Sequence, residues 1–369
     1  MRTKAAVVHE PGKLEIEELE LSGPAEHEVL VRYTHSGICR SDVHIAHGEL
    51  PARLPMVLGH EGAGVVEEVG AGVTRVKAGD HIVCSFLPSC GHCRWCATGR
   101  QAICDMGATI LEGYLPGDRW PLTGTAGTYG SMCMLGTFSQ YNVVHENSVV
   151  PVAKDLPLDK AALVGCGVPT GWGSAVHTAD VQAGETVIVS GIGGIGINAV
   201  QGARYAGALN LIAVDPLSNK REKALELGAT HAVGTIEEAG EIARSMTNGN
   251  GADTTIVTAG LVEEEIVTGA FHATGKGGTV VLTGVNRLDA DSVKLPGSLL
   301  TLFGKSIKGS LLGDCNPTAD IPLLLDLYRA GRLELDGLIT KTYSLDQVNE
   351  GIDDLLGGAN VRGVIVHEH

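Results

Sequence analysis

A strand-like apolar run, Glu185–Ser190, leads directly into Gly191-Ile192-Gly193-Gly194-Ile195-Gly196, and a segment of helical spacing, Ile197–Tyr205, leads out of it. A GxGxxG string alone arises by chance in a chain with 51 glycines among 369 residues. Between a strand and a helix, each glycine acquires a task. Gly191 makes the tight turn, Gly193 lets a pyrophosphate approach the backbone, and Gly196 lets helix and strand pack closely. Gly194 and Ile195 complete the loop, and the helix start offers unpaired N–H groups and a positive dipole end to phosphates. Asp215 ends the next strand-like run, 19 residues beyond Gly196. A carboxylate there accepts the ribose hydroxyls and repels a 2′-phosphate, so NAD is favoured over NADP. Lys220 either reaches the same ribose or is a solvated helix charge.

Strand and helix patterns alternate onward through Leu209–Val214, Lys220–Leu227, Thr254–Thr258, Gly278–Leu282 and Ser306–Lys308. That alternation predicts a doubly wound parallel sheet with helices on both faces. The preceding part of the chain has a different character. Ala5–Val8, Glu28–Thr34, Gly62–Val69 and His81–Cys84 are short apolar or alternating runs bounded by turn residues, and few helical patterns accompany them. A mostly antiparallel β domain is the expectation there. The end of the chain adds two amphipathic helices, Asp320–Ala330 and Leu345–Leu356, and a closing strand, Arg362–Val366. The expected division is 1–166, 167–310 and 311–369, with the last segment returning to the first domain. Residues 105–136 are too long and too rich in Gly and Pro for a plain connector, and read as a functional or interface lobe.

Charge and composition remove several function classes. The net charge of −16 argues against nucleic acid or an anionic membrane as partner. The sequence lacks the run of about 18 apolar residues that a membrane span requires, and Met1–Val8 lacks a signal-peptide core. A cytoplasmic location is the expectation. In such a reducing compartment, clustered thiols read as metal ligands rather than disulfides. Four of the nine cysteines, Cys90, Cys93, Cys96 and Cys104, have the spacing C-x2-C-x2-C-x7-C. Four thiolates so close together can close around one tetrahedral Zn²⁺ and leave no open position, which makes the site structural. A nucleic-acid-binding zinc ribbon fits these cysteines alone, but not the charge or the glycine fingerprint.

Three further segments carry reactive groups: Cys39-Arg40-Ser41-Asp42-Val43-His44, Gly59-His60-Glu61-Gly62 and Gly165-Cys166-Gly167-Val168-Pro169-Thr170. Two Cys and one His make a three-ligand set that leaves a fourth position for water or substrate. Taken singly, each has a plainer reading. Cys84, Cys133 and Cys315 read as buried apolar residues, and His35, His81 and His177 as core histidines.

These segments together resemble the zinc-containing alcohol dehydrogenases of the medium-chain dehydrogenase/reductase superfamily, essentially end to end. The resemblance is carried by Gly59–Val66, the four-cysteine lobe, the glycine fingerprint, Gly171–Ala175, Lys308-Gly309 and Asn349-Glu350-Gly351. Alcohol dehydrogenase is itself the stock example of a catalytic Cys₂His zinc. The resemblance implies an α/β protein, a Rossmann domain joined to a mostly-β GroES-like catalytic domain. It implies two zinc ions per chain and NAD, with Cys39, His60 and Cys166 on the catalytic zinc and Glu61 as an occasional ligand or one standing behind it. Asp42 would fix His60, Ser41 would hydrogen-bond the alcohol, and His44 would finish a proton relay through the nicotinamide ribose. Arg40 and Arg362 match arginines that contact the pyrophosphate. Thr170, Val285 and Asn286 would lie near the nicotinamide, and Phe86 would form a pocket wall.

The implied reaction is reversible oxidation of a primary alcohol, held as its alkoxide at the metal, by hydride transfer to NAD. A homodimer or homotetramer is implied as well. Length and the lobe after Cys104 also resemble an actinobacterial group of alcohol dehydrogenases that use a nitroso dye as acceptor and hold their nicotinamide tightly. Two alternatives accompany the main reading: that non-exchanging cofactor, and oxidation of a glutathione or other thiol adduct of formaldehyde. The sequence Gly48-Glu49-Leu50-Pro51 lacks the acidic residue expected of the thiol-adduct branch. A zinc-free reductase and a non-enzymatic protein on the same fold are disfavoured by the full ligand set and by Ser41, Asp42 and His44.

Overall fold

A computed structural model describes residues 1–285 and 293–369. The chain divides into two units. Met1–Cys166, Asn316–Gly331 and Leu335–His369 form the first; Gly167–Cys315 and Arg332–Glu334 form the second.

The first unit is built on two sheets. Arg2–Val8, Glu15–Leu21, Leu122–Gly124, Gly127–Ser131 and Met56–Val57 close into a small barrel. Its interior is filled by Ala5, Val7, Leu19, Leu21, Val57 and Tyr129. The second sheet is seven-stranded and runs Val149–Val152, His81–Cys84, Glu61–Val69, Glu28–Ile38, Arg362–Val366 and Ile339–Tyr343, with Tyr141–His145 also pairing on Glu28–Ile38. Pairing is antiparallel except between the two C-terminal strands and between Met56–Val57 and Gly127–Ser131. The expected antiparallel β domain is therefore present.

Registers in this sheet bring distant residues together. Gly37 lies opposite Glu61, Ile38 opposite Gly363, and Gly62 opposite Cys84. The end of one strand is thus beside the start of its antiparallel neighbour. Cys39, one residue past Ile38, comes to His60, one residue before Glu61. Pro317–Arg329 and Val348–Leu356 are the two amphipathic helices expected near the end of the chain, whereas two earlier helices are short and carry little periodic signal. Arg40–Ala46 and Leu158–Leu163 are seven and six residues long. The first starts where the Asp42 carboxylate accepts the Cys39 backbone N–H at 2.9 Å, a local cap that ordinary cap preferences do not anticipate at a cysteine.

The second unit holds a six-stranded, all-parallel sheet. Its order is His231–Val233, Asn210–Val214, Thr186–Ser190, Ala252–Val257, Thr274–Leu282 and Ser306–Gly309. Numbered along the chain, this is the 3-2-1-4-5-6 order of a dinucleotide-binding sheet. Helix Ile236–Met246 presses Ala239 and Ala243 on Ile188 and Ile212, and helix Glu264–Ala273 presses Val267, Ala270 and Phe271 on Val257 and Val280. The helix Gly167–Gly173 is buried throughout. Its composition of Gly, Pro and Trp gives no helical periodicity, so only packing specifies it.

Candidate active site

The strand registers gather Cys39, His60, Glu61 and Cys166 into one buried group, with a ligand atom of each within 4.8 Å of the others. Cys166 arrives from the turn after helix Leu158–Leu163. The Asp42 carboxylate, fully buried, organises this group. One of its oxygens takes the Cys39 N–H; the other lies 3.1 Å from His60 Nδ1 and 3.1 Å from the Gly59 N–H it accepts. With Nδ1 held on a carboxylate, His60 presents Nε2 to the two sulfurs. His60 Nε2 is buried and without a hydrogen-bond partner, as is Glu61 Oε1. An unpartnered buried nitrogen costs about 1–3 kcal/mol, and a cation among these donors removes that cost. Two thiols, an imidazole and a carboxylate are the donor set that zinc takes. The residues therefore fit a zinc ion.

Electrostatics point the same way. A hydrogen bond from Cys166, with His60 and Arg362 adding to it, holds the Cys39 thiol well below its usual range against burial. A thiolate there is the metal-binding form. By contrast, burial pushes Cys84 up to about 12 and Cys133 up to about 11. These two stay thiols and fill core, as expected. Burial also raises the Glu61 carboxyl to about 7, against the pull of Arg362. Arg362, expected at a pyrophosphate, is 4 % exposed and paired with Glu61.

Around this group lie the other residues singled out in the sequence. The Phe86 ring stands edge-on to His60, with centroids 5.9 Å apart. Ser41 Oγ is 3.9 Å from Cys39 Sγ. His44 lies on the same short helix, buried, with Nδ1 against a carboxylate oxygen of Glu49. Arg40 is half-buried and its Nε has no partner. Glu49 was missed in the sequence. It lies in the turn Gly48–Pro51, and no motif or spacing marks it. Of the histidines expected in cores, His35 and His81 are half-buried, and His177 is exposed against the edge of Trp172.

The four-cysteine lobe forms a second cluster. Cys90 Sγ is 3.9 Å from Cys96 Sγ, and Cys93 Sγ is 4.0 Å from Cys104 Sγ. Sulfurs at about 2.3 Å from a zinc are about 3.8 Å apart at the corners of a tetrahedron. Backbone N–H groups of Cys93, Cys96 and Cys90 point at the sulfurs of Cys90, Cys93 and Cys104 at 3.3, 3.4 and 3.5 Å. The Cys96 N–H and further backbone donors hold the Cys93 thiol down to about 6. None of the nine cysteines is in a disulfide.

In the second unit, the fingerprint loop follows strand Thr186–Ser190. Gly191 has φ +94°, and a Cβ on Gly196 would strike the Gly191 carbonyl oxygen, so neither position admits another residue without strain. A Cβ on Gly193 would meet nothing within 4 Å, which leaves a cradle open to a bound group. The cradle fits a dinucleotide pyrophosphate at the start of helix Gly196–Ala206. Asp215 is 9 % exposed. Its carboxylate accepts the Ile192 and Leu217 N–H groups at 2.8 and 2.9 Å, leaving lone pairs on both oxygens. Lys220 is 6 % exposed, so it is not the solvated charge that one reading held it to be. Burial lowers its ammonium while Asp215 raises it. Thr170 is buried in helix Gly167–Gly173. Thr258 was missed: its hydroxyl donates to the Ser190 carbonyl at 3.1 Å and reaches the Gly191 carbonyl, fastening the loop. Val285 is exposed, and Asn286 lies outside the described residues.

Comparison with known proteins agrees with this construction. Residues 25–154 match the alcohol dehydrogenase GroES-like domain, and residues 194–330 match the zinc-binding dehydrogenase family. The chain is 57% identical over 368 residues to an NDMA-dependent alcohol dehydrogenase of Amycolatopsis methanolica, covering 100% of this chain and 99% of that one. An alcohol dehydrogenase zinc-binding domain protein from Burkholderia ambifaria superposes with a TM-score of 0.93 at 33% identity, over 100% of both chains. Benzyl alcohol dehydrogenase from Acinetobacter calcoaceticus superposes with a TM-score of 0.92 at 29% identity, again over 100% of both. With both of its domains matched and whole-length relatives of this kind, the chain belongs to the zinc-containing alcohol dehydrogenases of the medium-chain dehydrogenase/reductase superfamily.

Proposed function

We propose that the first unit is the catalytic domain and the second the NAD-binding domain of an enzyme that oxidises a primary alcohol to an aldehyde, reversibly, with NAD as hydride acceptor. The observation that carries this reading is the buried Cys39–His60–Cys166 group with Glu61 behind it and His60 Nε2 unpartnered. Cys39, His60 and Cys166 hold one zinc, and Cys90, Cys93, Cys96 and Cys104 hold a second, structural one. At the first site zinc supplies Lewis acidity toward an alcohol or carbonyl oxygen.

The protein's own groups do the rest. Asp42 keeps His60 in the tautomer that offers Nε2. The Ser41 hydroxyl, on the helix that begins at Cys39, accepts the hydrogen of the substrate hydroxyl and passes a proton toward His44. His44, 4 % exposed, receives it away from bulk water. Phe86 closes one side of the space next to His60 against water. In the second unit, the N–H groups of Gly193, Gly194, Ile195 and Gly196 receive the pyrophosphate. Asp215, with Lys220 beside it, takes the adenosine ribose. Thr170 supports the nicotinamide end. Arg362 is paired with Glu61.

The thiol-adduct reading is not favoured, because the relatives reported above are named for alcohols. No helix among the described residues is long and apolar enough to cross a membrane. Nine cysteines outside disulfides suit a reducing, cytoplasmic setting. Among the described residues, Ser306–Gly309 ends the parallel sheet with a partner on one side only. A second copy pairing there gives the proposed homodimer, or homotetramer on further association.

The test is oxidation of a series of primary alcohols with NAD⁺, followed by NADH absorbance, for the wild type and for Cys39→Ser. Turnover in the wild type and loss of it in the variant, with the fold intact by circular dichroism, is the expected result. Equal turnover in both would remove the assignment.

A further inference from the structure

The relay histidine is not alone. His44 lies on the helix Arg40–Ala46, and the chain doubles back directly after it. In the turn that follows, the N–H groups of Glu49 and Leu50 both donate to the His44 carbonyl, at 2.8 and 3.1 Å. That double tie fixes residue 49 beside the ring of residue 44. The Glu49 carboxylate then meets His44 Nδ1 directly. The His44 side chain is 5 % exposed and that of Glu49 33 %. The other charged groups facing Glu49 are His47 and Arg40, both cationic or able to become so. Glu49 is therefore the acid in a cluster of bases, and its carboxylate is held below the usual range, first by the bond to His44.

We propose that Glu49 is the positioning residue of the proton relay: its carboxylate fixes the His44 ring and tautomer so that Nε2 exchanges the relayed proton. The proposal rests on the reading of His44 as a relay group. With Nδ1–H donated to Glu49, the neutral ring keeps its basic lone pair at Nε2. Nε2 takes the proton released by the substrate hydroxyl through Ser41, and an imidazolium forms. Glu49 stays a carboxylate throughout and neutralises that charge, as an acid behind a base does in other relays. The proton then leaves Nε2 for solvent and the ring returns to neutral. No electrons move in these steps, and Glu49 never touches substrate.

Four holoenzymes test this: Glu49→Gln, Glu49→Asp, His44→Gln and the double variant Glu49→Gln/His44→Gln. The readout is the single-turnover rate of alcohol oxidation, with zinc content and NAD⁺ affinity as controls. Glu49→Gln is expected to slow the rate on the order of tenfold, the lower end for loss of an orienting carboxylate. Glu49→Asp should restore most of it. The double variant should be no slower than His44→Gln alone, because Glu49 acts only through His44. Additive losses in the double variant, or a normal rate in Glu49→Gln beside a slowed His44→Gln, would overturn the role of Glu49 and leave the relay standing. A normal rate in His44→Gln would overturn the relay itself.

Discussion

At the scale of single residues, the chemistry depends on which groups are held in reactive form. Cys39 is held toward thiolate, whereas Cys84 and Cys133, in the same unit, are pushed up by burial. The difference is position: Cys39 borders Cys166, His60 and Arg362, whereas at Cys84 and Cys133 burial outweighs the polar neighbours. Cys39→Ser should therefore cost the catalytic zinc and at least about a thousandfold in turnover (~4 kcal/mol), whereas Cys84→Ser should alter stability alone. Steady-state rates and metal analysis of both variants separate the two kinds of cysteine. Asp215 belongs at the same scale. Asp215→Asn keeps an acceptor for one of the Ile192 and Leu217 N–H groups and removes the charge. The ratio of kcat/KM for NADP to that for NAD should rise on the order of tenfold, or ~1.4 kcal/mol. An unchanged ratio would show that the carboxylate does not choose the cofactor.

At the scale of elements, the legible parts were those with a period or a fixed spacing. Thr186–Ser190, the glycine loop and helix Gly196–Ala206 fall within a residue or so of their expected places, because strand, turn and helix there obey local rules. The four cysteines were legible because their spacing alone closes a site. Helices Arg40–Ala46 and Gly167–Gly173 were not legible. One is too short to show a period, and the other is made of poor helix formers held by burial on all sides. Glu49 escaped for a related reason. Its contact with His44 crosses a helix end, and neither helix nor strand periodicity relates the two positions.

One element-scale device depends on pH. The Glu146 carboxylate, 6 % exposed, accepts N–H groups of Thr74 and Arg75 at 2.9 and 3.3 Å and meets His27 Nδ1 at 2.6 Å. It ties the loop at 71–75 to the end of strand Tyr141–His145. Burial opposes the charge, but these donors prevail and its pKa is lowered. A lowered carboxylate stabilises fully above the unfolded-state value of about 4.3, and that stability fades as pH falls through the lower native value. At pH 7 Glu146→Gln should therefore be about 1–3 kcal/mol less stable than wild type. Near pH 3, below the unfolded-state value, the difference should be smaller. Urea unfolding at both pH values measures this, and an equal difference at both would show that the carboxylate's charge does not hold the loop.

At the scale of the whole molecule, an acidic chain of net charge −16 must bind an anionic cofactor by local means. The glycine loop at a helix start is such a device in the proposed cofactor domain, and it leaves the overall charge unchanged. In the proposed function two donor clusters, one buried and one half-buried, divide the metal chemistry. Zinc on the four cysteines would close a tetrahedron and staple the lobe. Zinc on Cys39, His60 and Cys166 would leave a position for substrate. Cys104→Ser should accordingly remove one zinc and lower the stability of the lobe, while the wild-type ligands at Cys39, His60 and Cys166 retain theirs. Limited proteolysis across residues 90–110 follows that loss directly.

The proposed reaction depends on a catalytic zinc held by Cys39, His60 and Cys166 beside a structural one. Native mass spectrometry of the wild type and of Cys39→Ser counts zinc per folded chain most directly. Two zinc in the wild type and one in the variant is the predicted result. Equal zinc counts in the two proteins, or a wild type with a single zinc, would contradict it.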